Sequence, residues 1–212
     1  MYQTVFAAFL AITGVAGGAV AQSLTPEQLE AMIGERVNAQ NPYQAFLADP
    51  DPARSLAAMQ IMLESGDTNL TRMALEYGLL SPNATVRRIA VESFMATKPV
   101  LSIRFDGSAT EDNDYEGMIR STLTGTLDTD GVGYARAAVG EKSEDGTCFV
   151  DKVRGHCLIT INSDGVFLSM HLGQGSPYVS ARMIVNDSGQ LEGVAALRTV
   201  DEPIPVTIQL LD

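Results

Sequence analysis

The chain carries two hydrophobic periods, one in each part of its length. Between Leu24 and Lys98, apolar residues recur every three to four positions, which is typical of amphipathic helices. After Pro99 they recur at every second position, as in strands that bury one face. The change of period predicts an α+β protein, with a short helical bundle over residues 22–98 and an antiparallel β-domain over residues 99–212.

The helical part is predicted to hold five short helices, because each apolar run follows a residue that can cap a helix. In the first, Thr25 precedes Pro26 and Gln28 occupies the third helical position, an arrangement typical of a capping box. Pro99 ends the last helix, since proline cannot continue one. The predicted caps of the other four are Asn41, Asp51, Asp67 and Ser81.

Two of these helices are similar when offset by 33 residues. Arg54, Leu56 and Ala57 then fall on Arg87, Ile89 and Ala90. Residues 49–54 and 81–87 resemble the inter-helix turn and second-helix start of HEAT-type repeats, and the resemblance extends over residues 49–97. It implies stacked helix pairs and a protein-binding role. An ordinary bundle of proline-capped helices is the alternative.

The alternating part predicts nine strands, separated by Asp-Gly and Ser-Gly turns short enough to favour antiparallel hairpins. A β-sandwich and a small β-barrel both require this alternation, so both remain possible. The predicted strands are Leu101–Phe105, Met118–Leu123, Tyr134–Val139, Thr147–Val150, Leu158–Ile161, Val166–Leu172, Val179–Val185, Val194–Val200 and Val206–Leu210.

The N-terminus has the features of a signal peptide. Residues 5–15 are apolar and uncharged but too short to span a bilayer, and Ala19-Val20-Ala21 provides the small-residue pattern that signal peptidase cleaves. Cleavage after Ala21 would remove residues 1–21 and leave a periplasmic or secreted protein. No later segment approaches the ~20 consecutive apolar residues of a membrane span, so no membrane insertion is expected after cleavage.

Composition narrows the choice of partner. The formal net charge of −12 would repel the phosphates of nucleic acids and anionic lipids. The absence of Trp and the 6% aromatic content argue against a stacking surface for sugars or bases. Another protein, one of the cell envelope, is the expected partner.

The only two cysteines, Cys148 and Cys157, predict an intramolecular disulfide in an exported chain. Zinc ligation with His156 and His171 is the rival, but the Cys spacing is unusual for zinc. The disulfide would join residues opposite each other in a hairpin and staple its tip. Lys152, Arg154 and His156 make this tip basic, so we predict a binding surface there, although these residues could simply solubilise a hairpin end.

No residue set predicts catalysis. The chain lacks a Gly-x-Ser-x-Gly motif. His171 and Ser176 superficially suggest a Ser/His site, but residues 173–177 lie between two predicted strands and their pattern indicates a loop. No cofactor or metal is predicted, although acidic runs at residues 111–114 and 128–131 offer oxygen ligands to calcium.

The leading hypothesis is therefore a non-catalytic exported protein that binds another protein. The first alternative is a β-barrel that holds a small apolar ligand, with room provided by the glycines at residues 131–140. The second is a hydrolase whose site is not recognisable from sequence.

Overall fold

The computed structural model describes residues 24–211, with the backbone alone at residues 38–41. The predicted signal peptide lies outside the described residues. The chain divides into two compact units, one ending at Asn41 and one covering Pro42–Asp212. Among the described residues, no helix is both long and apolar enough to cross a membrane.

Four helices precede the first strand in the described residues, instead of the five predicted; they are α1 (Pro26–Leu47), α2 (Pro52–Glu64), α3 (Thr68–Leu79) and α4 (Ala84–Ala96). The capping box of α1 is confirmed, because Gln28 N–H donates to Thr25 Oγ1 and Thr25 N–H donates to Gln28 Oε1. The helix start predicted at Asn41 is wrong, since Pro42 lies inside α1. Burial of Leu47 in the last turn favours continuing the helix despite the hydrogen bond that proline removes.

Helices α2 and α4 begin with the same local structure. Asp51 Oδ1 accepts from Ala53 N–H, and Asn83 Oδ1 accepts from Thr85 N–H. The cap of α4 is therefore Asn83 and not Ser81, whose hydroxyl instead accepts from Asn83 N–H. These two helix starts are 32 residues apart, one residue fewer than the offset at which the sequences are similar, so the shared caps and the sequence similarity are out of register by one position.

The interior of the helical layer is tightly packed. Met59, Leu79, Ala90 and Met95 have no exposed surface. At Gly78 an added Cβ would lie 2.5 Å from Ala90 Cβ and 2.7 Å from Met59 Sδ. Only glycine allows α3 to come this close to its neighbours.

The C-terminal part is a closed antiparallel β-barrel of eight strands, so the barrel alternative is confirmed over the sandwich. Each barrel strand pairs with the next along the chain, and the last pairs with the first: Phe105 lies opposite both Gly133 and Val206. The barrel strands are β1 (Val100–Asp106), β3 (Val132–Lys142), β4 (Cys148–Asp151), β5 (Cys157–Asn162), β6 (Gly165–Met170), β7 (Val179–Val185), β8 (Leu191–Leu197) and β9 (Ile204–Ile208).

The strand predicted at Met118–Leu123 is wrong. That segment belongs to an excursion between β1 and β3, formed by a short helix α5 (Asp114–Gly117), a π-helical turn (Met118–Thr122) and a two-residue strand β2 (Thr126–Leu127). Met118, Ile119 and Leu123 are buried in the barrel core. Their spacing suits a helical face as well as a strand, and packing decided between the two.

The barrel has two different ends. At the near end, where β1 begins, α4 is linked to β3 by an ion pair of 2.5 Å between Lys142 Nζ and Glu92 Oε1. The far end carries the connections β1–β3, β4–β5, β6–β7 and β8–β9. The side chains between them form a core that is continuous with α2–α4.

Candidate functional site

The predicted disulfide between Cys148 and Cys157 is present, with 5.7 Å between the two Cα atoms. The two residues are not directly opposite each other, contrary to expectation. Cys148 pairs with Thr160 and Cys157 pairs with Val150, because the register between β4 and β5 shifts after Phe149. The bond therefore crosses the hairpin diagonally, close to its tip.

The tip of this hairpin is organised by Asp151. Its Oδ1 atom accepts from Val153 N–H at 2.8 Å and from Arg154 N–H at 2.7 Å. Gly155, at a φ of 73°, completes the turn in a conformation that favours glycine. Lys152 and Arg154 are exposed at this tip, while His156 is half-buried.

The structure brings the two histidines of the chain together. The rings of His156 and His171 lie 5.2 Å apart between centroids and are inclined by 37°. Nδ1 of His171 is 3.0 Å from the Gly175 carbonyl oxygen, which orients the ring. The alternation of residues 166–172 predicts only that His171 lies on the polar face of its strand, and sequence separation gives no sign that it would lie against the basic tip.

Arg198 adds a further cation at this end of the barrel. Its guanidinium carbon lies 4.0 Å from the centroid of the Tyr178 ring, and Nη2 donates to the carbonyl oxygens of Ser176 and Pro177. The β6–β7 connection therefore makes two contacts. At its start, His171 lies against His156 of the β4–β5 tip, and near its end Ser176 and Pro177 accept hydrogen bonds from Arg198. We call the surface formed by Lys152, Arg154, His156, His171 and Arg198 the basic surface.

Sequence reasoning found three members of the basic surface and missed His171 and Arg198. Arg198 follows β8, about forty residues from the tip in sequence, and nothing in its local pattern marks it. Only the hairpin order of the barrel brings the ends of β4, β6 and β8 to the same side.

The other half of the far end is acidic and joined by hydrogen bonds. Thr110 Oγ1 donates to Glu202 Oε2 at 2.8 Å, and Asp201 N–H donates to Asp112 Oδ2 at 3.0 Å. Asp112 Oδ1 accepts from Asp114 N–H, so both oxygens of this carboxylate have protein donors. Within residues 24–211, no three His, Cys, Asp or Glu side chains are grouped as a metal site would require.

The space that glycines were expected to leave inside the barrel is occupied by the chain itself. A Cβ added at Gly133 would lie 2.9 Å from Ile119 Cδ1 and 2.9 Å from Tyr115 Oη. The buried Tyr115 hydroxyl donates to the Phe105 carbonyl oxygen at 3.0 Å. Burial raises the pKa of this phenol.

The loop predicted at residues 173–177 is present between β6 and β7, whereas His171, predicted in the strand, lies one residue past the end of β6. In the described part of the chain, no hydrogen bond joins the His171 ring to the Ser176 hydroxyl; Nδ1 is instead directed at Gly175. The geometry therefore provides no support for serine-type chemistry, which needs that contact.

The chain was compared with protein-family models, with curated proteins and with solved structures, and none of these comparisons found a match. The resemblance of residues 49–97 to HEAT-type repeats therefore rests on the helix-turn pattern alone. No family is recognised for the β-barrel.

Proposed function

We propose that this chain is a non-catalytic exported protein that binds an acidic segment of another protein of the cell envelope. The contact is made by the basic surface. The observation that carries the proposal is that five Lys, Arg and His side chains, which come from three different barrel connections, lie at the same end of the barrel.

The charge balance of the chain supports an acidic partner. The chain has 14 Lys and Arg against 26 Asp and Glu. Several cations elsewhere lie in ion pairs with carboxylates: Arg54, Lys98, Arg104, Arg120 and Lys142. Among the ion pairs of residues 24–211, none includes Lys152 or Arg198, and Arg154 contacts Asp151 only at 3.8 Å. Positive charge is therefore available to a partner here.

The tip that carries most of this charge is held in place before any partner arrives. The disulfide joins its two strands, and the Asp151 carboxylate binds two backbone amides of the turn. Ordering a flexible loop opposes binding, so a preorganised tip lowers that entropic penalty. These contacts favour a role in recognition over simple solubilisation of the hairpin.

Export is supported by the predicted signal peptide and by the disulfide, since disulfides persist mainly in oxidising compartments. Binding at the surface is favoured over binding inside the barrel by the packing at Gly133, where Ile119 and Tyr115 fill the space.

A crosslinking pull-down from the native cell envelope tests the proposal, with the chain from Gln22 onward as bait. One variant bait carries Lys152→Glu and Arg154→Glu. The control bait carries Arg72→Glu and Arg136→Glu, which change the net charge by the same amount at two exposed arginines outside the basic surface. We expect the first variant to lose the partner and the second to retain it. Equal recovery by both variants, or recovery of no protein by the unchanged bait, would overturn the proposal.

The electrostatic character of the contact is tested separately with a deca-glutamate peptide. Binding measured by fluorescence anisotropy should weaken as salt is raised from about 0.05 to 0.5 M, because exposed charges are increasingly screened. A deca-lysine peptide serves as the control. Equal binding of both peptides, or salt-independent binding of deca-glutamate, would contradict recognition by charge.

A further inference from the structure

A cavity lies between helix α4 and the turn that joins β5 to β6, at the end of the barrel opposite the basic surface. Ala84, Arg87, Arg88 and Val91 line its helix side, and their spacing places them on one face of α4. The volume of the cavity is about 220 Å³. One molecule of liquid water takes up about 30 Å³, so a molecule of amino-acid size fits this space.

The two arginines of this helix face have no carboxylate partner among the described residues, since no ion pair there includes either of them. Arg87 is half-buried, and its Nη1 atom donates to the Ser81 carbonyl oxygen at 2.6 Å. This bond holds the guanidinium beside the cavity but does not neutralise its charge. Arg88 is exposed. The helix side of the cavity therefore favours a carboxylate, which guanidinium groups bind through charge-assisted hydrogen bonds.

The start of α2 shows what is missing at the start of α4. Asp49 lies two residues before the cap of α2, and its carboxylate pairs with Arg54 at 2.8 Å. Ser81 lies two residues before the cap of α4 and has no carboxylate to offer Arg87. The arginine of α2 is thus paired within the chain, whereas the arginine of α4 can bind the carboxylate of a ligand.

The hairpin side of the cavity carries a carboxylate on a well-fixed turn. The Asp164 N–H donates to Asn162 Oδ1 at 2.8 Å, and the Asp164 carbonyl oxygen accepts from Arg182 Nε at 3.1 Å and Nη2 at 2.9 Å. Among the described residues, no ion pair joins the Asp164 carboxylate to Arg87 or Arg88, although all three residues line the cavity. The cavity therefore keeps opposite charges apart. Most of the remaining lining is apolar: Ala84, Val91, Ile161, Val166, Ile184 and Val185.

We propose that this cavity binds a free amino acid with an apolar side chain, such as leucine. The carboxylate of the amino acid pairs with Arg87 and Arg88, and its ammonium group pairs with Asp164. Its side chain contacts the apolar lining. A zwitterion supplies a partner to both charged sides at once, whereas a simple anion leaves Asp164 unpaired and a simple cation leaves the arginines unpaired. This site shares no residue with the basic surface, so each can be tested without the other.

The proposal is tested by titrating L-leucine into the ¹⁵N-labelled chain from Gln22 onward and following the backbone amide shifts by NMR. We expect shifts at residues 84–91 and 161–166, on the two sides of the cavity. Matched compounds separate the contacts: 4-methylpentanoate lacks the ammonium group, 3-methylbutylamine lacks the carboxylate and glycine lacks the apolar side chain. Each should bind at least about tenfold more weakly than leucine, because each leaves one part of the site without its partner.

Two variants distinguish this site from unspecific binding. Arg88→Gln should lower the affinity for leucine about tenfold and reduce the preference for leucine over 3-methylbutylamine. Asp164→Asn should lower the affinity similarly but reduce the preference for leucine over 4-methylpentanoate. Both side chains are exposed, so both variants should fold, and Arg72→Gln, at an exposed position on α3, should bind leucine as the unchanged chain does. Absence of shifts up to about 10 mM leucine, shifts confined to other residues or unchanged preferences in both variants would overturn the proposal.

Discussion

The two ends of the barrel use charged residues in different ways. At the near end, Lys142 pairs with Glu92 and Lys98 pairs with Glu141, so the cations join parts of the same molecule. At the far end, Lys152 and Arg198 take part in no ion pair among residues 24–211. The far end also holds paired cations, such as Arg104 with Asp106, so the difference from the near-end lysines is confined to the basic surface, which we propose binds a partner.

The two ends also differ in what fills them. Leu79 of α3 is fully buried and lies 3.5 Å from where a Cβ at Gly189 would stand, so the helical layer packs beneath the β7–β8 turn. The far end is filled by Tyr115, Met118 and Ile119 of the excursion that follows β1. Each end is therefore packed by a different segment, and each packing can be altered separately.

The largest expected effect is at the near end. Leu79→Ala should lower the free energy of unfolding by about 2 to 5 kcal/mol, because it removes a fully buried side chain and leaves a cavity. Chemical denaturation measures this change. Leu80→Ala is the control, since Leu80 is 48% exposed and its loss should matter much less. Similar losses for both variants would show that Leu79 is not part of a packed interface.

The next effect is at the far end. Gly133→Ala should lower the free energy of unfolding by about 1 to 3 kcal/mol, because the added Cβ would overlap with Ile119 and Tyr115. Thermal and chemical denaturation both report it. Gly173→Ala, where an added Cβ meets nothing within 4 Å, should change stability by less than about 0.5 kcal/mol. A neutral Gly133→Ala variant would indicate that the excursion does not fill this space.

Tyr115→Phe removes a buried hydrogen bond and should lower the free energy of unfolding by about 1 kcal/mol at neutral pH. Burial raises the pKa of the Tyr115 phenol, so its neutral form stabilises the fold. That stabilisation is complete below the unfolded pKa of about 10 and is lost as pH rises through the higher folded value.

Denaturation at increasing pH should therefore show a steeper alkaline loss of stability for the unchanged chain than for Tyr115→Phe. Tyr43→Phe serves as the control because Tyr43 is exposed. Identical alkaline slopes for Tyr115→Phe and the unchanged chain would contradict a buried, neutral phenol at this position.

The smallest expected effect concerns the near-end ion pair between Lys142 and Glu92. A double-mutant cycle with Lys142→Met and Glu92→Gln should give a coupling free energy below about 1 kcal/mol, since both side chains are partly exposed and solvent screens them. Added salt should reduce it further. A coupling several times larger would mean that the near end depends on this ion pair more than on apolar packing.

Local signals in the sequence were informative wherever neighbouring residues decide the outcome. The Thr25–Gln28 capping box and the caps at Asp51 and Asp67 were predicted correctly, because a cap needs only a side-chain oxygen and the amides that follow it. The disulfide was predicted from the presence of two cysteines in a chain with export features.

The errors have a common cause. The start of a new helix at Asn41 and the strand at Met118–Leu123 both followed local patterns that tertiary packing overrode. Burial of Leu47 accompanied the continuation of α1, and burial of Met118 and Ile119 accompanied the helical excursion. The free energies of local secondary-structure propensity are small compared with the free energy gained by burying several apolar side chains.

By itself, the sequence determined the two hydrophobic periods, most helix starts, the hairpin order of most strands and the bond between Cys148 and Cys157. Only the tertiary structure decided that β9 pairs with β1, which turns alternating strands into a closed barrel. It also decided that His156, His171 and Arg198 meet at one end. The physical reason is that alternation specifies which face of a strand is buried, whereas closure depends on contacts between residues about one hundred positions apart.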